Sequence, residues 1–172
     1  MEYTLGGESA AAEFDPGPGP DSGPGPGLPD LFADLVRCET RLYNALNDRL
    51  REGHGIVTSQ YEFLRYLRDH PGCRVADLAA EFAIGVGATS KGIDRLEKQG
   101  WAARRPNPSD RRSSLLALTD DGARLVDAAE RTFTGALAEL LGAALDGPSA
   151  SALARALATL RSALEHDRIG TP

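Results

Sequence analysis

Residues 101–118 constrain the fold of this chain more than any other stretch. Trp101-Ala-Ala-Arg-Arg105 and Ser113–Leu118 read as two short strands, separated by Pro106-Asn-Pro-Ser-Asp-Arg111, a polar loop dense in turn formers. The residues just upstream read as helix. Val75 to Phe82 suits a short helix with Val75, Leu78, Ala79 and Phe82 inward. Gly85 breaks it, and a further helix runs from about Gly87 to Gln99 with Ile93 and Leu96 inward. Gly100 fits the C′ stop of that helix. Two short helices joined by a tight Gly-containing turn make a helix-turn-helix, and a basic-tipped hairpin directly after it makes a winged helix.

Long amphipathic helices flank this unit. Leu31, Leu35, Cys38, Leu42, Leu46 and Leu50 form one apolar stripe ending at Gly53 and Gly55. Ser59 with Glu62 suits a capping box opening a helix through Arg68 that closes at Pro71-Gly72. Thr119 caps a long helix with Asp120 and Asp121 in its first turn. Its stripe is Leu125 or Val126, Ala129, Phe133, Leu137 or Ala136, Leu140 and Ala144. Ser149 begins the last helix, striped by Leu153, Leu157, Leu160 and Leu164. The expected class is therefore mainly α with a small β-hairpin wing. Residues 1–30 read as a disordered tail, 31–57 as a dimerisation helix, 58–119 as the winged helix-turn-helix, 120–166 as dimerisation helices and 167–172 as a C-terminal tail. The flanking stripes fold back into a small bundle or pair with a second copy, and stripes at both chain ends favour the homodimer.

Charge at first speaks against a polyanionic partner. The 172 residues hold 25 acids and 19 bases, a net charge of −6. Its distribution reverses the argument. Residues 1–30 contain Glu2, Glu8, Glu13, Asp15, Asp21 and Asp30 and no Lys or Arg, so this segment carries the whole imbalance. It is either a solubilising extension or an intramolecular mimic of phosphate, and eleven of the fourteen positions from Pro16 to Pro29 are Gly or Pro. From Lys91 to Arg112, seven bases face three acids, and local potential rather than net charge steers a polyanion. No apolar run approaches a membrane span and no signal peptide opens the chain, so the expected location is the cytoplasm, with no membrane partner. His70 and Cys73 flank Pro71-Gly72 without a second ligand pair, so no metal and no cofactor is expected. No nucleophile–base constellation or phosphate-binding loop points to an enzyme.

The stretch Asp110-Arg-Arg-Ser-Ser-Leu-Leu-Ala-Leu-Thr119-Asp-Asp-Gly122 resembles the wing signature of the MarR family of bacterial transcription regulators: Asp-x-Arg, Leu-x-Leu-Thr, then x-x-Gly. Asp94-Arg-Leu-Glu-Lys-Gln-Gly100-Trp and Arg104-Arg-Pro-Asn-Pro-Ser-Asp110 are similar to the same family's end of the recognition helix and start of the wing. The resemblance implies a homodimeric repressor of a pseudo-palindromic operator on double-stranded DNA, released by a small phenolic or lipophilic effector or by thiol oxidation. It implies that Arg112, or its neighbour Arg111, enters the minor groove while Asp110 structures the wing, or that an Asp–Arg pair pins the turn. A narrow minor groove independently favours a guanidinium.

The recognition helix departs from the family's polar first turn, since Val86, Gly87 and Ala88 make no bidentate bond to a base edge. Direct readout is expected from Thr89, Ser90 and Lys91, and phosphate contact from Arg95, Arg104 and Arg105. Arg41, Tyr43, Tyr61 and Arg65 are the effector-cleft candidates. Cys38, on the apolar stripe, reads as a buried structural cysteine, with a thiol-sensing repressor as the alternative. A winged-helix protein-interaction module without DNA binding is the other alternative, motivated by the weak recognition helix and the acidic tail.

Overall fold

The computed structural model describes residues 27–171. They belong to two units. The first ends at Arg37 and holds the opening turns of α1 (Leu28–His54); the second runs from Cys38 and carries the remaining elements. Helix α1 opens at Leu28, before the expected Leu31. Pro29 suits a first turn because it lacks the N–H left unpaired there, and Asp30 suits the positive end of the dipole. Most of the acidic segment expected over 1–30 lies outside the described residues. On α1 of the first unit, Leu28, Leu31, Phe32, Leu35 and Val36 are exposed.

In the second unit α1 is followed by α2 (Thr58–Asp69), α3 (Val75–Glu81), α4 (Val86–Lys98), β1 (Ala102–Pro106), β2 (Ser114–Leu118), α5 (Asp120–Gly142) and α6 (Gly147–His166). One core joins Leu50 of α1, Tyr61, Leu64 and Leu67 of α2, Leu78 of α3, Ile93 and Leu96 of α4, Leu116 of β2, and Val126 and Ala129 of α5. Each large aliphatic side chain so buried stabilises the fold by about 1.5–3 kcal/mol. The strands pair antiparallel, from Ala102 opposite Leu118 to Pro106 opposite Ser114. On the far edge of β2, Gly72 N–H donates to the Leu116 carbonyl at 3.0 Å and Leu116 N–H donates to the Cys73 carbonyl at 2.8 Å. The turn after α2 thus extends the hairpin by one short third chain. Among the described residues no helix is long and apolar enough to cross a membrane.

Other helix ends also differ from the sequence expectation. Helix α2 is capped by other residues than Ser59 and Glu62: Gln60 Oε1 accepts the Val57 N–H at 3.0 Å, and Asn47 Oδ1, reaching from α1, accepts the Thr58 N–H at 2.8 Å. Helix α3 is turned by Ala83, not by Gly85. Ala83 has a φ of +49°, its N–H donates to the Ala80 carbonyl, and the Ile84 N–H donates to the Ala79 carbonyl. Phe82 and Ile84 on either side pack against the core, and their burial holds an alanine in a conformation that favours glycine. Gly85 has an ordinary φ of −62° and serves as N-cap of α4. Helix α6 is capped by Asp146, whose Oδ1 accepts the Ser149 N–H at 2.8 Å. Leu153, Leu157, Leu160 and Leu164 of α6 are exposed.

The expected stop at Gly100 is present. Its φ is +77°, its N–H donates to the Glu97 carbonyl, and the Trp101 N–H donates to the Leu96 carbonyl, both at 2.9 Å. Beside it Thr119 caps α5. Its Oγ1 accepts the Gly122 N–H at 3.0 Å and donates to the Gly100 carbonyl at 2.6 Å, while the Thr119 N–H donates to the Trp101 carbonyl at 3.1 Å. A Cβ on Gly122 would lie 1.9 Å from the Trp101 carbonyl oxygen. The glycine of the wing signature is therefore set by a backbone approach. Gly122→Ala is expected to cost at least about 2 kcal/mol of stability, the scale of an overpacked core site, read by urea denaturation. A loss under 0.5 kcal/mol would show that α5 shifts away freely.

Candidate nucleic-acid interface

Helix α4 sorts its side chains into three stripes, each at spacings of four and three residues. Thr89, Ile93 and Leu96 face the core and are fully buried. Ser90, Asp94 and Glu97 face the hairpin. Lys91, Arg95 and Lys98 face solvent. This corrects one expectation: Thr89 is 0% exposed and its Oγ1 lies 3.1 Å from the Gly85 carbonyl, to which it donates, so it has no access to a base edge. The same spacing that places Ile93 and Leu96 inward extends back to Thr89. Lys98, absent from the candidates, completes the basic stripe one turn beyond Arg95.

The hairpin-facing stripe binds Arg104 of β1. Its Nη1 pairs with Asp94 Oδ1 at 2.8 Å and with Glu97, its backbone N–H donates to Glu97 Oε1 at 2.8 Å, and its Nη2 lies 3.3 Å from Ser90 Oγ. Arg104 is half-buried with its guanidinium occupied by two carboxylates, and it ties the hairpin to α4 where phosphate contact was expected. Ser90 shares that contact and is only partly accessible.

The wing loop is organised by its own polar side chains. Asn107 Oδ1 accepts the Ser109 N–H at 3.0 Å, Asn107 Nδ2 donates to Ser113 Oγ at 2.8 Å, and Asp110 Oδ1 accepts the Arg112 N–H at 2.9 Å. Asp110 therefore fixes the backbone beneath Arg112 instead of binding its guanidinium. Arg105, Arg111 and Arg112 are exposed. Among the described residues none of Lys91, Arg95, Lys98, Arg105, Arg111 or Arg112 enters an ion pair.

The effector-cleft candidates differ in burial. Tyr61 is a core residue, its ring centroid 4.5 Å from that of Phe133. Tyr43 is half-buried beside Ser59 and Glu62, and burial, then the Glu62 carboxylate, raises its phenol. Burial also raises the Glu62 carboxyl, which Arg65 partly offsets. Arg65 is exposed and lies 3.8 Å from Asp69, and Arg41 is exposed. A groove of about 640 Å³ lies elsewhere, lined by Phe82 and Ala83 and by Leu157, Leu160, Leu164 and Ile169. Cys38, expected to be buried, is exposed in the single chain. Cys73 is half-buried, and burial, then Asp77, pushes its thiol up to about 11. No group of His, Cys, Asp and Glu among the described residues is arranged to hold a metal ion.

A buried helical hairpin, an exposed basic helix face and an antiparallel hairpin with arginines at its tip define a winged helix-turn-helix. The MarR family model matches residues 56–114, the span from the start of α2 to the start of β2. The multiple antibiotic resistance protein MarR of Salmonella typhimurium is 31% identical over 104 residues, covering 57% of this chain and 72% of its own length. The organic hydroperoxide resistance transcriptional regulator of Bacillus subtilis is 32% identical over 90 residues, covering 52% and 58%. The chain belongs to the MarR family and is a transcriptional regulator. Among solved structures, the repressor CouR bound to a 23-mer DNA duplex superposes with a TM-score of 0.71 at 27% identity, covering 76% of this chain and 92% of that one. Sco3205 of Streptomyces coelicolor in complex with DNA shares the fold, with a TM-score of 0.73 at 24% identity over 79% and 86% of the two chains.

The contacts of Arg104 make it the latch between hairpin and helix. Arg104→Ala is expected to cost about 1–2 kcal/mol, since charge-assisted bonds are lost at a partly solvated site, and to speed amide exchange throughout residues 102–118. Arg104→Lys recovers little, because an ammonium does not span two carboxylates as a guanidinium does. Unchanged exchange in the hairpin would refute the latch.

Proposed function

We propose that the chain acts in the cytoplasm as a homodimeric repressor that binds a pseudo-palindromic operator in double-stranded DNA. One observation carries this reading. Six bases that enter no ion pair among the described residues lie on two adjoining elements, Lys91, Arg95 and Lys98 on one face of α4 and Arg105, Arg111 and Arg112 on the hairpin. A helix of this size fits the major groove, and a guanidinium suits the narrow minor groove beside it. With Thr89 turned inward and Ser90 engaged by Arg104, base readout falls on Lys91, with exposed Val86 and Ala88 available to a thymine methyl. The uncapped N-terminus of α4 offers backbone N–H groups to phosphate, and Gly87 leaves the approach open. Phosphate contact and DNA shape then supply most of the affinity.

The exposed leucines of α1 and α6 support the dimer. Unpartnered apolar stripes at both chain ends suit a self-complementary interface, and a dimer sets two reading heads about 34–36 Å apart. A small phenolic or lipophilic effector would release DNA by favouring dimers whose heads are mis-spaced.

Gel-shift titration against the chain's own upstream region tests the DNA reading. Affinity should fall steeply with salt, Arg112→Ala should weaken it at least tenfold, and Lys91→Ala or Arg95→Ala should each lower the salt slope by about one. Thr89→Val should leave base preference unchanged. Binding that is absent or indifferent to salt would overturn the repressor. Sedimentation should show a dimer that Leu160→Glu splits; a monomeric parent chain would remove the dimer from the proposal.

A further inference from the structure

The wing loop between β1 and β2 has little to hold it but itself. None of residues 106–114 belongs to the apolar core, and those from Pro108 to Arg112 are exposed. The ladder ends with Pro106 opposite Ser114, and Pro106 brings no N–H to that last pair. Arg105, Arg111 and Arg112 crowd the tip with Asp110 as its one acid, so charge favours an opened loop.

Hydrogen bonds close it instead. The Asp110 N–H donates to the Asn107 carbonyl at 3.3 Å, making a turn with Pro108 and Ser109 at its centre. The Ser113 N–H donates to the Asp110 carbonyl at 3.1 Å, making a second turn with Arg111 and Arg112 at its centre. Asn107 and Ser113 are the outer ends of this double turn and its two half-buried residues. Their side chains meet, Asn107 Nδ2 donating to Ser113 Oγ at 2.8 Å. The order of donors is fixed. The Ser109 N–H can only donate, so Asn107 turns Oδ1 to it, at 3.0 Å, and Nδ2 to the serine. The serine hydroxyl then donates to the Asp110 carbonyl at 3.2 Å.

We infer that Asn107 is a positioning residue for DNA: its amide clasps the double turn shut and so fixes where Arg111 and Arg112 present their guanidinium groups to the duplex. The inference rests on the DNA-binding reading. An amide suits the place because it offers an acceptor to the first turn and a donor across the neck, one bond beyond the pair where Pro106 leaves the ladder short. An open loop would have to be ordered on the DNA, whereas the closed one has lost that freedom on folding. Apparent affinity therefore scales with the fraction of chains whose loop is closed. Losing one neutral hydrogen bond changes such an equilibrium by about three- to tenfold.

Anisotropy titration of the full chain with a labelled duplex of its own upstream region tests the clasp, at low salt so that weakened variants stay measurable. Asn107→Ala should weaken binding by about three- to tenfold while melting with the parent, since the loop lies outside the core. Ser113→Ala removes the other half of the bridge and should weaken binding at least as much; it carries the test if Asn107→Ala fails to fold. Ser113→Thr keeps the hydroxyl and should bind like the parent. A residue that acts through the wing arginines loses its effect without them. With Arg111 and Arg112 both changed to Ala, adding Asn107→Ala should alter affinity by less than about 1.5-fold, whereas beside Arg95→Ala its full effect should persist. Unchanged affinity of Asn107→Ala in a parent that binds DNA overturns the positioning role. An equal loss with and without the wing arginines overturns it too, since Asn107 would then act on DNA by another route. A parent chain that binds no DNA refutes the repressor, and the positioning role with it.

Discussion

Four elements of this protein meet at one peptide carbonyl. The Trp101 oxygen accepts the Thr119 N–H at 3.1 Å and lies where a Cβ on Gly122 would have to be, while the Thr119 hydroxyl bridges the Gly100 carbonyl and the Gly122 N–H. The end of α4, the start of β1, the end of β2 and the first turn of α5 are thereby fixed within one hydrogen-bond network. The network satisfies carbonyls and amides that helix ends otherwise leave open. The orientation of the wing relative to α4, and of both relative to the long α5, follows from it. Residues far apart in function depend on this joint, because the wing arginines and the basic stripe of α4 act together only at a fixed separation.

Arg104 makes the same joint rigid from the other side. Its charge adds nothing to the positive face, since Asp94 and Glu97 neutralise it, yet it aligns the six bases that remain. A sum of charges along residues 91–112 treats all seven bases alike. The structure separates them into one that positions and six that present.

Periodicity made much of this legible in advance. The order of helices, the hairpin, the Gly100 stop and the Thr119 cap follow from signals local to a few residues, and they appear in the structure. What escaped depends on contacts between elements. Nothing in Val57-Thr58-Ser59 announces that Asn47 of α1 completes the cap of α2. Ala83 takes the left-handed turn between Phe82 and Ile84, which pack partly buried against the core, and Gly85 offered the more obvious break. Arg104 and Arg105 are adjacent and identical in type, and strand alternation sends one to the carboxylates of α4 and the other to solvent. Thr89 was within reach of sequence reasoning. Its spacing to Ile93 and Leu96 marks it as inward, and its hydroxyl drew the opposite assignment.

The inward turn of Thr89 also changes what the recognition helix asks of DNA. A first turn of Val86, Gly87 and Ala88 carries no group that forms a bidentate bond to a base, so discrimination by direct readout, worth about 1–3 kcal/mol per good pair, is largely forgone at that end. Affinity then depends on bases that contact phosphate, and such affinity falls with salt and favours any polyanion. A protein reading its site this way binds non-specific DNA relatively well. Its selectivity has to come from groove shape and, in a dimer, from the spacing of two reading heads.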